Sequence, residues 1–269
     1  MEKAKIELYQ VRSFGDKLNA TFGFLSENAK VVLKYLTYFL LPLSLVQAVA
    51  MSGYFSSITA LGEARFDQTN DSLVKMVVSL GVTMLLYCIG TLLLVIVLYA
   101  LMRLYREREE RLQNLTWVEL RPMFVTLLVR CLKLLVFSFV VSVAVGLLMF
   151  MLIGIYPALV FLLWLVLVVV GIPLALVYPV YMFEDDISFF GAVAKALRLG
   201  FATWRGILGV LFVLGFLAAF VSGMVSLPWS VLATMKVLLG AGEVENAFVN
   251  SVGFGFLTYL AGVIQAFVG

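Results

Sequence analysis

Six runs of apolar residues, each about twenty positions or longer, alternate along this chain with shorter polar stretches. They fall at roughly 31–53, 74–102, 134–155, 157–183, 207–229 and 248–269. An apolar helix of about 20 residues crosses the hydrocarbon core of a bilayer, so the pattern predicts six transmembrane helices. The second run is long enough to tilt or to project beyond the lipid. The third and fourth are separated only by the corner Ile155-Tyr156-Pro157. Proline suits the start of the fourth helix, because a first turn needs no amide donor.

The charges sort by side. Lys3, Lys5, Arg12, Lys17, Lys30 and Lys34 accompany the first run. Arg103, Arg106, Arg108, Arg111, Arg121, Arg130 and Lys133 lie between the second and third, and Lys195, Arg198 and Arg205 between the fourth and fifth. Only Arg65, Lys75 and Lys236 fall in the alternate segments. Sixteen basic residues on one side against three on the other predict that both termini are cytoplasmic.

Each basic segment also carries helical spacing. Phe14, Leu18, Phe22 and Leu25 repeat in the first, with Ser13 as a cap. Thr116 and Glu119 have capping-box spacing ahead of Leu120, Phe124 and Leu127 in the second. In the third, Asp186 or Ser188 can cap a stripe of Ile187, Phe190, Ala194, Leu197, Phe201 and Trp204. The expected fold is therefore all-α: a polytopic membrane protein with six spans and three cytoplasmic interfacial helices. It forms a single membrane domain, divisible into units 13–105, 116–183 and 186–269 of interfacial helix plus hairpin. Small residues four apart in the first span of each unit suggest close helix packing: Ser44, Ala48 and Ser52; Ser138, Ser142 and Gly146; Gly215, Ala219 and Gly223.

Composition agrees with the pattern. Apolar residues make up 63% of the 269 and charged residues 13%, which leaves too little polar surface to coat a soluble domain. A net charge of +3 is too small to suggest nucleic acid. Cys88 and Cys131 are expected at different depths, so no disulfide is anticipated. About 30 mostly polar residues precede the first run, which argues against a cleavable signal and leaves the first span to direct insertion. The chain ends at Gly269 directly after an apolar run, as a segment of a longer protein would.

The sequence contains no histidine, which removes Ser-His and Cys-His nucleophile pairs and histidine metal ligation. All 16 carboxylates fall outside the expected hydrocarbon cores, which counts against ion-coupled transport. No enzyme activity and no cofactor are expected. Four features could carry function. Arg103, Arg106, Arg108 and Arg111 could contact lipid headgroups or an acidic partner, or could extend span two with i,i+4 pairs such as Glu107 with Arg111. Pro173 and Pro179 should kink the fourth span. Glu184, Asp185 and Asp186 could bind a cation, or more simply cap the third interfacial helix. Gln47, Thr83, Thr91 and Gln265 could line a pathway or hydrogen-bond between helices.

The segment Phe189-Phe190-Gly191-Ala192-Val193-Ala194-Lys195-Ala196-Leu197-Arg198-Leu199-Gly200, followed by Trp204-Arg205-Gly206-Ile207-Leu208, has a familiar form. With the opening stretch Phe14-Gly15-Asp16-Lys17-Leu18 through Lys34-Tyr35-Leu36, it resembles uncharacterised bacterial six-span proteins. These are similar in turn to the membrane domain of glycerophosphoryl diester phosphodiesterases. There a separate soluble domain performs the chemistry, and this sequence has none. The resemblance implies a bacterial inner-membrane module without an assigned reaction. The function expected is non-enzymatic, through membrane lipids or a protein partner in the membrane. The alternative is a transporter or channel for a lipidic or weakly polar solute, with a cavity beside Pro173.

Overall fold

The computed structural model describes residues 5–7, 10–63, 69–240 and 251–268, and every element in them is helical. Eight helices follow in order: α1 Phe14–Glu63, α2 Thr69–Glu107, α3 Trp117–Ile155, α4 Pro157–Leu174, α5 Val177–Phe183, α6 Phe189–Ala202, α7 Trp204–Gly240 and α8 Val252–Val268. Among the described residues, five stretches are long and apolar enough to cross a membrane: Phe14–Ile58, Leu73–Glu107, Trp117–Ile155, Ala158–Phe183 and Trp204–Met235. This is a multi-pass helical membrane protein. The expected sixth span appears among the described residues only as the shorter apolar helix Val252–Phe267. Lys3, Arg65, Glu243, Glu245, residues 248–250 of the expected sixth span and Gly269 lie outside the described residues.

Two of the expected interfacial stretches are not separate elements. The repeat at Phe14, Leu18, Phe22 and Leu25 runs without a break into the first span as the 50-residue α1. At 1.5 Å per residue that is about 75 Å of helix, more than twice the hydrocarbon thickness. The repeat at Leu120, Phe124 and Leu127 continues likewise into α3. Local signals still fix where both begin. Ser13 Oγ accepts from the Asp16 amide at 3.3 Å, and the Thr116 amide donates to Glu119 Oε2 at 3.1 Å.

The corner at Tyr156 and the break in span four form where proline withholds donors. Pro157 opens α4, while Tyr156 sits in extended backbone. Pro173 lies in the last turn of α4, and Pro179 in the first turn of α5, where a missing amide costs least. Between them Leu176 N reaches back only three residues, to Pro173 O at 3.1 Å.

The chain packs as two compact units that cut across the stretches 13–105, 116–183 and 186–269. Unit 1 comprises residues 1–32 and 96–214, and unit 2 residues 33–95 and 215–269. The core of unit 1 is the end of α2, where Ile96, Val97, Ala100, Leu101 and Tyr105 are fully enclosed. Leu120, Leu127, Cys131 and Leu134 supply one face of α3. Tyr105 is held on three sides: Phe24 meets its ring edge-on at 5.0 Å, the Ile6 amide donates to its hydroxyl at 3.1 Å, and Lys5 Nζ stands 5.7 Å from its ring centre.

Helix α6 packs on α4 and α5 through its smallest residues, Ala192, Ala196 and Gly200. Phe190 and Phe201 of the expected stripe point away. At Gly200 the approach is extreme: a Cβ there would stand 2.5 Å from Pro173 Cα. This triplet makes the contact expected of the small-residue stripes. Ser44 and Ala48 are buried in unit 2, but Ser52, Ser138, Ser142, Gly146, Gly215, Ala219 and Gly223 are exposed. A Cβ at Gly146, Gly215 or Gly223 would meet nothing within 4 Å. Small residues permit approach only where topology brings a second helix opposite them.

Candidate functional site

The arginine segment makes several ion pairs within unit 1. Helix α2 ends at Glu107, and Arg111 takes a left-handed backbone (φ 57°), so the expected i,i+4 partnership with Glu107 is not set up. Arg111 Nη1 instead meets Glu27 Oε1 at 2.5 Å. One turn earlier, Arg103 stands 3.8 Å from Glu107, and Arg108 lies 3.8 Å from Glu119. The Arg106 and Arg108 carbonyls accept from Lys5 Nζ, both at 2.9 Å.

Arg103 is the most enclosed of the four, with its side chain only 5% exposed. Its Nη1 donates to Asp185 Oδ1 at 3.0 Å and to Met182 O at 3.1 Å, and its Nη2 to Asp185 Oδ2 at 2.5 Å. Arg130 closes the same knot from α3. Its Nη1 donates to Tyr181 O at 2.7 Å and Glu184 O at 2.8 Å, and its Nη2 to Asp185 O at 3.1 Å. These carbonyls lie at and just beyond the C-terminal end of α5, where no further helical turn supplies donors. Lys195 of α6 pairs with Glu184 at 2.6 Å.

Two of the three acids thus belong to a charge network, and the cap of α6 is Ser188, whose Oγ accepts from the Gly191 amide at 3.2 Å. Asp186 is exposed. The Asp185 carboxyl is held below its ordinary pKa, mainly by the hydrogen bond from Arg103 and further by the charges of Arg103, Arg130 and Arg106, against a smaller opposing effect of burial. The network locks α2, α3, α5 and α6 together. Sequence spacing gave no sign of Arg130 or Lys195 in it.

Pro173 is buried against Gly200 and lines none of the spaces described below. Open space occurs elsewhere. In unit 1 a cleft of about 510 Å³ is lined by Arg12, Lys17, Gln10 and Thr21 on its polar side and by Phe24, Leu25, Leu98 and Met102 on its apolar side. Arg12 is steadied by donating to the Glu7 carbonyl at 2.6 Å.

In unit 2 the four intramembrane polar residues come together. Gln47, Thr83 and Gln265 line a cavity of about 470 Å³ with Met51, Leu80, Met84, Cys88 and Trp229. A smaller space of about 130 Å³ shares Gln47, Tyr87 and Ala266 and adds Ser44 and Thr91. Thr83 and Thr91 hydroxyls donate to the carbonyls one turn back, Ser79 O at 2.8 Å and Tyr87 O at 3.0 Å. Gln265 Oε1 is buried without a hydrogen-bond partner among the described residues.

No family model, no curated protein and no solved structure matches this chain.

Proposed function

We propose that this chain is a non-enzymatic module of the bacterial inner membrane, with six spans and both termini cytoplasmic, that acts by holding an anionic membrane lipid in the cleft of unit 1. The supporting observation is the composition of that cleft. Arg12 and Lys17 stand beside Phe24, Leu25, Leu98 and Met102, so one molecule with an anionic head and an apolar tail satisfies both sides. Charge placement supports the orientation, since these cations belong to the basic-rich side of the chain. Phe14, Phe22 and Leu25 on α1, and Phe190 and Phe201 on α6, leave large apolar side chains exposed near basic residues, as interfacial helices do.

The four arginines of residues 103–111 contribute less directly. Arg103 and Arg111 already meet Asp185 and Glu27, so they shape the unit more than they recruit a headgroup or an acidic partner.

The test is native mass spectrometry of the full chain released from vesicles containing equal phosphatidylglycerol and phosphatidylcholine. One retained phosphatidylglycerol is expected, with at least a fivefold loss of occupancy in R12Q/K17Q at unchanged melting temperature. Equal retention of both lipids, or retention undiminished in the double variant, would overturn the reading.

A further inference from the structure

Part of the cleft of unit 1 is built before α1 begins. Ile6, Gln10 and Arg12 line it together with the first turns of α1 and with Leu98 and Met102 of α2. The stretch Lys5–Glu7 is docked on the far end of α2. That helix stops at Glu107, so carbonyls at and just beyond its end have no helical donors ahead of them. Lys5 Nζ answers two of them, donating to Arg106 O and Arg108 O at 2.9 Å each. A cation there also complements the negative end of the helix dipole.

One exposed ammonium contact holds little by itself. Here the next residue adds to it: the Ile6 amide donates to the Tyr105 hydroxyl at 3.1 Å, and Tyr105 is fully buried, which makes it a fixed anchor. Ile6 also reaches α1, where its Cδ1 would touch a Cβ at Gly23 at 3.4 Å. The third residue carries the docking into the cleft. The Glu7 carbonyl accepts from Arg12 Nη2 at 2.6 Å. Ordering a long side chain at the moment of binding weakens a complex, and this tether orders Arg12 beforehand. It engages one edge of the guanidinium, whose remaining N–H groups suit a phosphate. Lys5 is not among the residues lining the cleft, so its influence there is conveyed through position.

We infer that Lys5 is a positioning residue for the anionic-lipid site: by docking Lys5–Glu7 on the end of α2, it holds the Arg12 guanidinium ready for the headgroup. This rests on the lipid reading above and makes retention depend on a contact outside the cleft.

The experiment measures phosphatidylglycerol on the full chain released from vesicles of equal phosphatidylglycerol and phosphatidylcholine. Native mass spectrometry gives the occupancy, and melting temperature is followed in parallel. K5M should lose about fivefold in occupancy at unchanged melting temperature. K5R, whose guanidinium can donate to the same two carbonyls, should keep it. A cycle with R12Q identifies the route: K5M/R12Q should fall within about twofold of R12Q alone, because the tether then has no arginine to hold. Losses that multiply in the double variant would overturn the inference, since Lys5 would be acting through its own charge. So would a K5R as poor as K5M. K5M at wild-type occupancy, with R12Q/K17Q depleted, would overturn it and leave the lipid reading standing. A wild-type chain that retains both lipids equally would overturn both.

Discussion

Arg103 and Asp185, 82 positions apart in the chain, meet in a two-point ion pair, with Nη1 to Oδ1 at 3.0 Å and Nη2 to Oδ2 at 2.5 Å. The two ends are unequally placed. The Arg103 side chain is 5% exposed and the Asp185 side chain 53%. An enclosed guanidinium depends on its anion more than a half-exposed carboxylate depends on its cation, and Asp185 also keeps Arg130 at 3.1 Å.

That asymmetry gives the first prediction. Asp185→Ala should cost about 2–3 kcal/mol, because it strands a buried charge. Arg103→Met, which fills the same space without charge, should cost less. The double variant should be more stable than Asp185→Ala alone. Thermal melting of the four proteins in one detergent measures this coupling, and additive losses would contradict it.

The same carboxyl sets a pH dependence. Arg103 holds the Asp185 pKa below its ordinary value, so the folded protein binds this proton less readily than the unfolded chain. Its stabilising contribution is then complete above about pH 4, the ordinary aspartate range. It fades as pH falls through the depressed folded value. The melting-temperature gap between the wild-type chain and Asp185→Asn should be constant from neutral pH to about pH 5 and close below that range. A gap that widened on acidification would have the wrong sign.

Glycines divide by what stands opposite them. Gly200→Ala would push a methyl to 2.5 Å from the Pro173 Cα, where backbone must move, at about 1–3 kcal/mol. Gly146→Ala meets nothing within 4 Å and should gain up to about 1 kcal/mol from helix propensity. The two melting shifts should have opposite signs.

Arg130 should not be replaceable by lysine. Its planar fork reaches the Tyr181, Glu184 and Asp185 carbonyls at once, whereas an ammonium on a flexible stem holds them less rigidly. Arg130→Lys should cost about 2 kcal/mol, with faster amide hydrogen exchange at residues 184–188 than in the wild-type chain.

Much of this was legible in the sequence because it depends on neighbours in the chain. Long apolar runs, the Tyr156-Pro157 corner, the Ser13 start of α1 and the Thr116–Glu119 contact all follow from residues within one or two turns of each other. The same local logic misled where the partner was distant. A stripe such as Gly215, Ala219 and Gly223 has the right spacing to pack, yet spacing cannot say whether a helix lies opposite. The arginines of residues 103–111 read as contacts for headgroups or an acidic partner, or as an extension of span two with i,i+4 pairs, because nothing within a turn reveals that Asp185 and Glu27 fold back onto them.

The sequence by itself determined that the chain is helical and multi-pass, since hydrophobic length and the need to satisfy every backbone amide leave no other solution in lipid. Only the tertiary structure decided which polar groups became internal partners and which were left facing space. Asp185 found Arg103 and Arg130, while Gln265 Oε1 is enclosed without a donor among the described residues. Each outcome depends on which helices meet across tens of residues, and side-chain spacing along one helix carries no record of that.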